Sequence, residues 1–528
     1  MENTTNTTAP LQLPQGLALI LVTLAGAFIP LSFAPFNIWP LAIVAIALFA
    51  SLIKAQKLKT VFCYSWLFGT GLFAAGVHWI FVSIHNFGGA TALLAGAMVL
   101  IFAIFMGLIF ALPFYIFGRW FSRHMLALFV ALPACWLLGE WMRTWFLTGF
   151  PWLFVGYAHI DTWLAGWAPV IGVIGTGLIP VLSGCLIAEL YFHWKQTSVQ
   201  KMSRSLIIAS FITASLWGTG ALLKTITWAL PSEHAISVGL VQPNLDQSVK
   251  LSWHKESVVA ALDQLRDMSE ELWGNDWVVW PEAAIPAELT YHKALPFLEE
   301  MNTKAAQTHT ALFTGVLFDE APSASNGLEK INYYNSIAGL GEGLGFYHKR
   351  RMVPFGEYVP FEKYLRDTIE FFNLPTSYIS IGPQDQHGLI ANGIRINPVV
   401  CYEIAFPDLV AQSAKSSQVL LSVNNLGWFL DSIQSKQFLQ MTQMRALETG
   451  RYLIYSTNNG PSAFIDNHGK IVNQSHAFTT ETFSGKIYPV KDWTPFMMIG
   501  SWPLALLALL SLLGLYASQK LNPIKQDT

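Results

Sequence analysis

The chain has 528 residues, of which 53% are hydrophobic and only 12% charged, and its mean hydropathy is +0.41. A water-soluble protein carries about twice that charged fraction, so a wholly soluble chain is excluded and much of this one is expected in lipid. A net charge of −2 leaves no basic field for nucleic acid. Four cysteines without a CxxC pair or Cys/His spacing exclude a disulfide framework and a zinc site, and no metal or organic cofactor is expected.

Residues 1–15 are polar and lack Lys and Arg, so they do not resemble a cleaved signal, and the first apolar run reads as a retained span. Seven runs of membrane-crossing length are expected, at about 16–34, 38–54, 61–83, 90–118, 125–146, 169–192 and 204–226, and an eighth at about 495–516. Basic residues gather in alternate connections: Lys54, Lys57 and Lys59, then Arg119 and Arg123, then Lys195, Lys201 and Arg204, and finally Lys520 and Lys525. The intervening connections carry only Arg143. This bias predicts cytoplasmic termini and an external segment from 227 to 493, periplasmic in a bacterium.

The outward connections Ser32–Pro40, Ser83–Gly89 and Gly149–Leu153 are aromatic and nearly uncharged. They read as an interfacial belt, or as a floor on which acyl chains rest. His78, Glu140 and Arg143 lie near outward span ends, where ionisable groups mark pairs or sites, and Arg143 is expected to snorkel to the surface.

From residue 227 the pattern changes to short β-type runs alternating with amphipathic helices. Strands are expected at Ala235–Val241, Trp277–Trp280, Ala311–Leu317, Tyr334–Leu340, Gly388–Cys401, Val419–Asn424 and Tyr452–Thr457. Helices are expected at Lys255–Leu272, Ala294–His309, Asp408–Ala414 and Ser435–Thr449. The domains are therefore 1–226 with seven membrane helices, 227–493 as an α/β domain, and 494–528 with the eighth helix and a tail.

Three stretches of the α/β domain carry chemistry. In Pro398-Val399-Val400-Cys401-Tyr402-Glu403 an apolar strand delivers one cysteine to a bend, with the next backbone N–H expected to meet an oxyanion. In Trp277-Val278-Val279-Trp280-Pro281-Glu282 a carboxylate at a strand end sits where a general base would. In His348-Lys349-Arg350-Arg351-Met352-Val353-Pro354-Phe355-Gly356-Glu357 a basic run enters a Pro/Gly loop with a second glutamate, and a lysine beside a thiolate lowers its pKa and holds an oxyanion. Taken singly, each has a plainer reading as a buried thiol, a capping carboxylate or a solvated basic run.

Together, WPE, a lysine ahead of VPFGE, and CYE resemble the Glu-Lys-Cys triad of the nitrilase superfamily. With the span pattern and the FAPFNIWP, VSIHNFGG and GFPWL segments, the chain resembles the apolipoprotein N-acyltransferase family of Gram-negative inner membranes. That resemblance implies an αββα sandwich inserted before the last of eight membrane helices. It also implies Cys401 as nucleophile, Glu282 as base and Lys349 as oxyanion holder, helped by the N–H of Tyr402. Glu357, Tyr402 and Glu403 match supporting residues, Trp253 a substrate-contacting tryptophan, and Asn335, Arg366 and Glu448 further matched positions for which a structural role serves equally. The implied reaction is ping-pong. The sn-1 acyl chain of a membrane phospholipid, phosphatidylethanolamine by resemblance, passes through a thioester to the α-amine of a diacylglyceryl apolipoprotein. The loops Phe371–Pro375 and Leu426–Leu430 are expected lids. The alternative is a membrane-tethered amidase with water as acceptor, against which the spans and aromatic floor weigh.

Overall fold

A computed structural model describes residues 11, 13–196, 202–252, 255–288, 292–320, 331–360, 363 and 379–521. It divides into two compact units, one of residues 1–81, 93–226 and 498–528, the other of 82–92 and 227–497.

The first unit is helical. Among the described residues, five helices are long and apolar enough to cross a membrane: Gln15–Ser32, Ala92–Phe121, Trp163–Lys195, Arg204–Leu223 and Trp502–Leu521. A sixth candidate is broken, with Leu58–Gly76 and Ile80–Phe87 meeting at 60°. The expected spans at 38–54 and 125–146 are apolar helices, Pro40–Ile53 and Ala127–Met142, too short for that count. Fourteen residues rise only about 21 Å, against a hydrocarbon core of about 30 Å. Hydropathy records composition and not where a helix breaks, so among the described residues five helices, or six with the bent pair, reach the length of a crossing where eight were expected.

Helices Gln15–Phe28 and Leu58–Gly76 cross closely because of glycine: a Cβ on Gly26 would overlap the carbonyl of Phe68, and one on Gly71 that of Thr23. Lys54 donates to Glu189 at 2.6 Å and lies over the Phe192 ring. Arg143 does not snorkel. It is buried, donates to the Trp152 carbonyl at 2.8 Å and faces the rings of Phe73 and Phe154. A guanidinium is weakly hydrated and stacks on aromatic faces, which makes this burial tolerable. Glu140 accepts from the Trp136 indole and the Val155 N–H, both at 3.1 Å. His78 is exposed and bonded to the Ala75 carbonyl.

The second unit stacks two sheets. One has six strands in the order β13-β1-β2-β3-β4-β6: β1 Ile236–Gln242, β2 Trp277–Val279, β3 Ala311–Glu320, β4 Asn332–Gly341, β6 Phe346–His348 and β13 Glu481–Ile487. The other has seven in the order β12-β11-β10-β9-β8-β7-β5: β5 Gly343–Leu344, β7 Leu389–Ala391, β8 Ile394–Val400, β9 Val419–Asn424, β10 Leu453–Thr457, β11 Ala463–Ile465 and β12 Ile471–Gln474. In each sheet three strands run parallel, β1 to β3 and β8 to β10, flanked by antiparallel ones. The pleat explains the layers. Trp277 and Val279 enter the core shared by the sheets, while Val278 and Trp280 face a second core built with helices Lys255–Ser269 and Ala294–Gln307. Helices Pro407–Ala414 and Ile433–Thr449 pack on the second sheet, completing α-β-β-α.

The expected strands exist, with one correction: Gly388–Cys401 is a hairpin, β7 and β8, turning at Asn392 and Gly393, both with positive φ. β5, β6, β11, β12 and β13 were not anticipated. They are short or half-exposed, so their hydrophobic alternation is weak.

Candidate active site

Each chemical group sits just beyond the end of a strand in the second unit. Glu282 follows β2 on a tight turn, with Ala283 at φ 45°. The turn can press against β3 because residue 315 is glycine: a Cβ there would come within 2.5 Å of the Pro281 carbonyl and 2.7 Å of Glu282 Cα. Lys349 follows β6, its N–H bonded to the Asn335 carbonyl at 2.8 Å. Cys401 follows β8 at φ 48°, a left-handed conformation rare outside glycine, and opens a 3-10 turn through Ala405. Pro407 then starts the next helix at a position where its missing N–H costs nothing.

These turns bring one ammonium to two carboxylates. Lys349 Nζ lies 2.8 Å from Glu357 Oε1 and 3.6 Å from Glu282 Oε1, and its side chain is 1% exposed. Asn335 bridges the carboxylates, donating to Glu282 at 2.7 Å and to Glu357 at 3.2 Å. Glu357 also accepts from the Val353 N–H at 2.8 Å. The Asn425 N–H donates to Glu282 Oε2 at 2.7 Å and also faces the Cys401 sulfur. The thiol thus faces Glu282, Lys349 and Glu357 together.

The electrostatics follow from this crowding. Burial, then the Glu282 carboxylate, push the Cys401 thiol well above its ordinary range, against the opposing pull of Lys349 and the Asn425 N–H. Burial alone would lower Lys349, but Glu357 and Glu282 more than offset it and hold the ammonium above the usual lysine range. At neutral pH the resting site is therefore a protonated thiol beside a charged lysine.

The supporting residues divide by role. Glu403 accepts from the N–H groups of Val400 at 2.9 Å, Arg350 at 2.6 Å and Arg351 at 3.2 Å, and from the Tyr347 hydroxyl at 3.0 Å on each oxygen. Tyr402 is buried with its ring edge-on to Phe406. Glu448 lies on the helix Ile433–Thr449, fully buried and paired with Arg445 at 3.1 Å. Trp253, Arg366 and the Phe371–Pro375 loop lie outside the described residues. Of the expected lids, Trp428 meets Phe87 edge-on with ring centroids 5.6 Å apart. Sequence reasoning missed Asn425, which contributes a backbone N–H just past β9, and Tyr347, which lies on the short strand β6.

Residues 25–186 match the family model described as Apolipoprotein N-acyltransferase N-terminal domain, and residues 236–490 that of Carbon-nitrogen hydrolase. The apolipoprotein N-acyltransferase of Pseudomonas putida is 40% identical over 495 residues, covering 93% of this chain and 95% of its own. That of Coxiella burnetii is 37% identical over 498 residues, covering 94% and 99%. The chain belongs to the apolipoprotein N-acyltransferase family. The Pseudomonas aeruginosa protein of the same name adds 39% identity over 506 residues, 96% of each chain. Among solved structures, a mutant of an amidase from Nesterenkonia aligns with 52% of this chain and 98% of its own at 16% identity and a TM-score of 0.37. Membership in the family makes this chain an acyltransferase, and its apolar helices fit a multi-pass membrane protein.

Proposed function

We propose that this chain N-acylates lipoproteins by a ping-pong reaction at Cys401, with Glu282 as general base and Lys349 as oxyanion holder. The observation that carries the reading is the convergence of a half-buried thiol, an ammonium and an extra carboxylate at three strand ends. Glu282 takes the thiol proton as sulfur attacks the sn-1 ester carbonyl of a phospholipid, phosphatidylethanolamine by resemblance. Lys349 and the Tyr402 N–H stabilise the oxyanion. The ester C–O bond breaks, Glu282 returns the proton to the departing lysophospholipid alkoxide, and a thioester remains on Cys401. The α-amine of a diacylglyceryl cysteine then attacks, its proton passes to Glu282 and on to the leaving thiolate, and the amide-linked product departs.

The same reading gives eight membrane crossings, cytoplasmic termini and a periplasmic domain at 227–493 in the inner membrane, supported by the basic residues of alternate connections. Two-chain lipids leave a bilayer at a cost of roughly 0.8 kcal/mol per methylene, which favours a thiol brought to the membrane surface. Incubation of the purified protein with acyl-labelled phosphatidylethanolamine and no acceptor is expected to label Cys401 as a thioester. Label persisting in Cys401→Ala would overturn the assignment.

A further inference from the structure

Lys349 and Cys401 belong to different sheets, β6 edging one and β8 lying within the other, so their spacing needs a tie between layers. Glu403 provides it. One oxygen side holds the elbow through Val400, the other the lysine segment through the N–H groups of Arg350 and Arg351. Carboxylate oxygens so placed pivot unless something fixes their plane. The Tyr347 hydroxyl does this by pointing at both. Having spent its one proton there, that hydroxyl accepts from Arg350 Nε at 2.9 Å. Arg350 is in turn anchored by Nη2 on the Ser413 hydroxyl at 2.9 Å and Nη1 on the Gln384 carbonyl at 3.2 Å, and its guanidinium lies over the Tyr347 ring. A chain of hydrogen bonds thus links the helix Pro407–Ala414, through Arg350 and Tyr347, to the elbow.

We infer that Tyr347 and Arg350 are positioning residues for acyl transfer, setting the Lys349 to Cys401 spacing through Glu403. The inference rests on the proposed triad. Neither side chain reaches the thiol, so both act through geometry. A displacement of about 1 Å at a reacting pair costs on the order of 100-fold in rate. An arginine beside a catalytic lysine reads as solvated charge in sequence, yet this one is bound at all three of its donor nitrogens.

The test uses the full-length protein in detergent, with labelled phosphatidylethanolamine as donor and a diacylated lipopeptide as acceptor. Tyr347→Phe removes one oxygen. It is expected to lower kcat about 10- to 100-fold with KM for the phospholipid within about twofold. It is also expected to move the pH midpoint of Cys401 alkylation by iodoacetamide upward, because the thiolate loses part of its ammonium. Arg350→Lys keeps the charge but loses the fork, and is expected to shift the midpoint the same way by a smaller amount. It decides the matter should Tyr347→Phe fail to fold. An unchanged midpoint with kcat within twofold, in whichever variant folds, overturns the inference. Acyl label surviving in Cys401→Ala would instead overturn the triad itself.

Discussion

Each unit of this molecule buries a lysine against carboxylate, and the two clusters differ in arithmetic. In the helical unit Lys54 meets one carboxylate, Glu189, and the charges cancel. In the α/β unit Lys349 meets two, Glu357 and Glu282, with a thiol beside them. One negative charge is left over. A balanced pair can only hold helices together, whereas on the proposed mechanism the surplus carboxylate beside the thiol serves as a base with somewhere to take a proton from. Asn335 and the Asn425 N–H make that surplus tolerable by solvating the oxygens without neutralising them.

This contrast breaks first at Glu282. Glu282→Gln keeps the shape and removes the surplus charge, and is expected to lower acyl-enzyme formation about 10²- to 10⁴-fold in single-turnover assays. Loss of less than tenfold would assign the base elsewhere. Next, the two partners of the thiol should pull its titration in opposite senses. Lys349→Met withdraws the charge that favours thiolate, so the alkylation midpoint rises further. Glu357→Gln withdraws a charge that opposes thiolate, so the midpoint falls although transfer still slows. Movement in one direction for both would mean that packing, not charge, sets the thiol. The smallest effect on activity is expected in the balanced pair. Glu189→Ala leaves an uncompensated buried ammonium and should cost about 3–5 kcal/mol in stability, seen as a lower Tm in detergent, while transfer per folded molecule is unchanged. Combining Lys54→Met with Glu189→Leu should restore most of that loss.

How much of this was legible beforehand depended on what each residue does. Cys401, Glu282 and Lys349 are legible only together: each alone reads as a buried thiol, a capping carboxylate or part of a solvated basic run, and it is the set of WPE, VPFGE and CYE that links them. Their supports are not legible in this way. Asn425 acts through its backbone, so its side-chain type carries no signal, and Tyr347 lies on a three-residue strand too short to show alternation. Arg143 was misread because burial of an arginine depends on ring faces at 73 and 154, distant in sequence. The short strands escaped for want of alternation. Among the described residues five helices, or six with the bent pair, have the length of a crossing where eight were expected, because two apolar runs stop early as helices, a matter of turns and not of hydropathy.

The left-handed backbone at Cys401 has an evolutionary side. Glycine would relax that residue, and a chain selected for robustness alone would drift toward it. On the proposed role of Cys401, a sulfur-bearing side chain at such a site trades local comfort for reactivity. Descendants that lose the need for transfer should shed this cysteine early, while the surrounding sandwich persists.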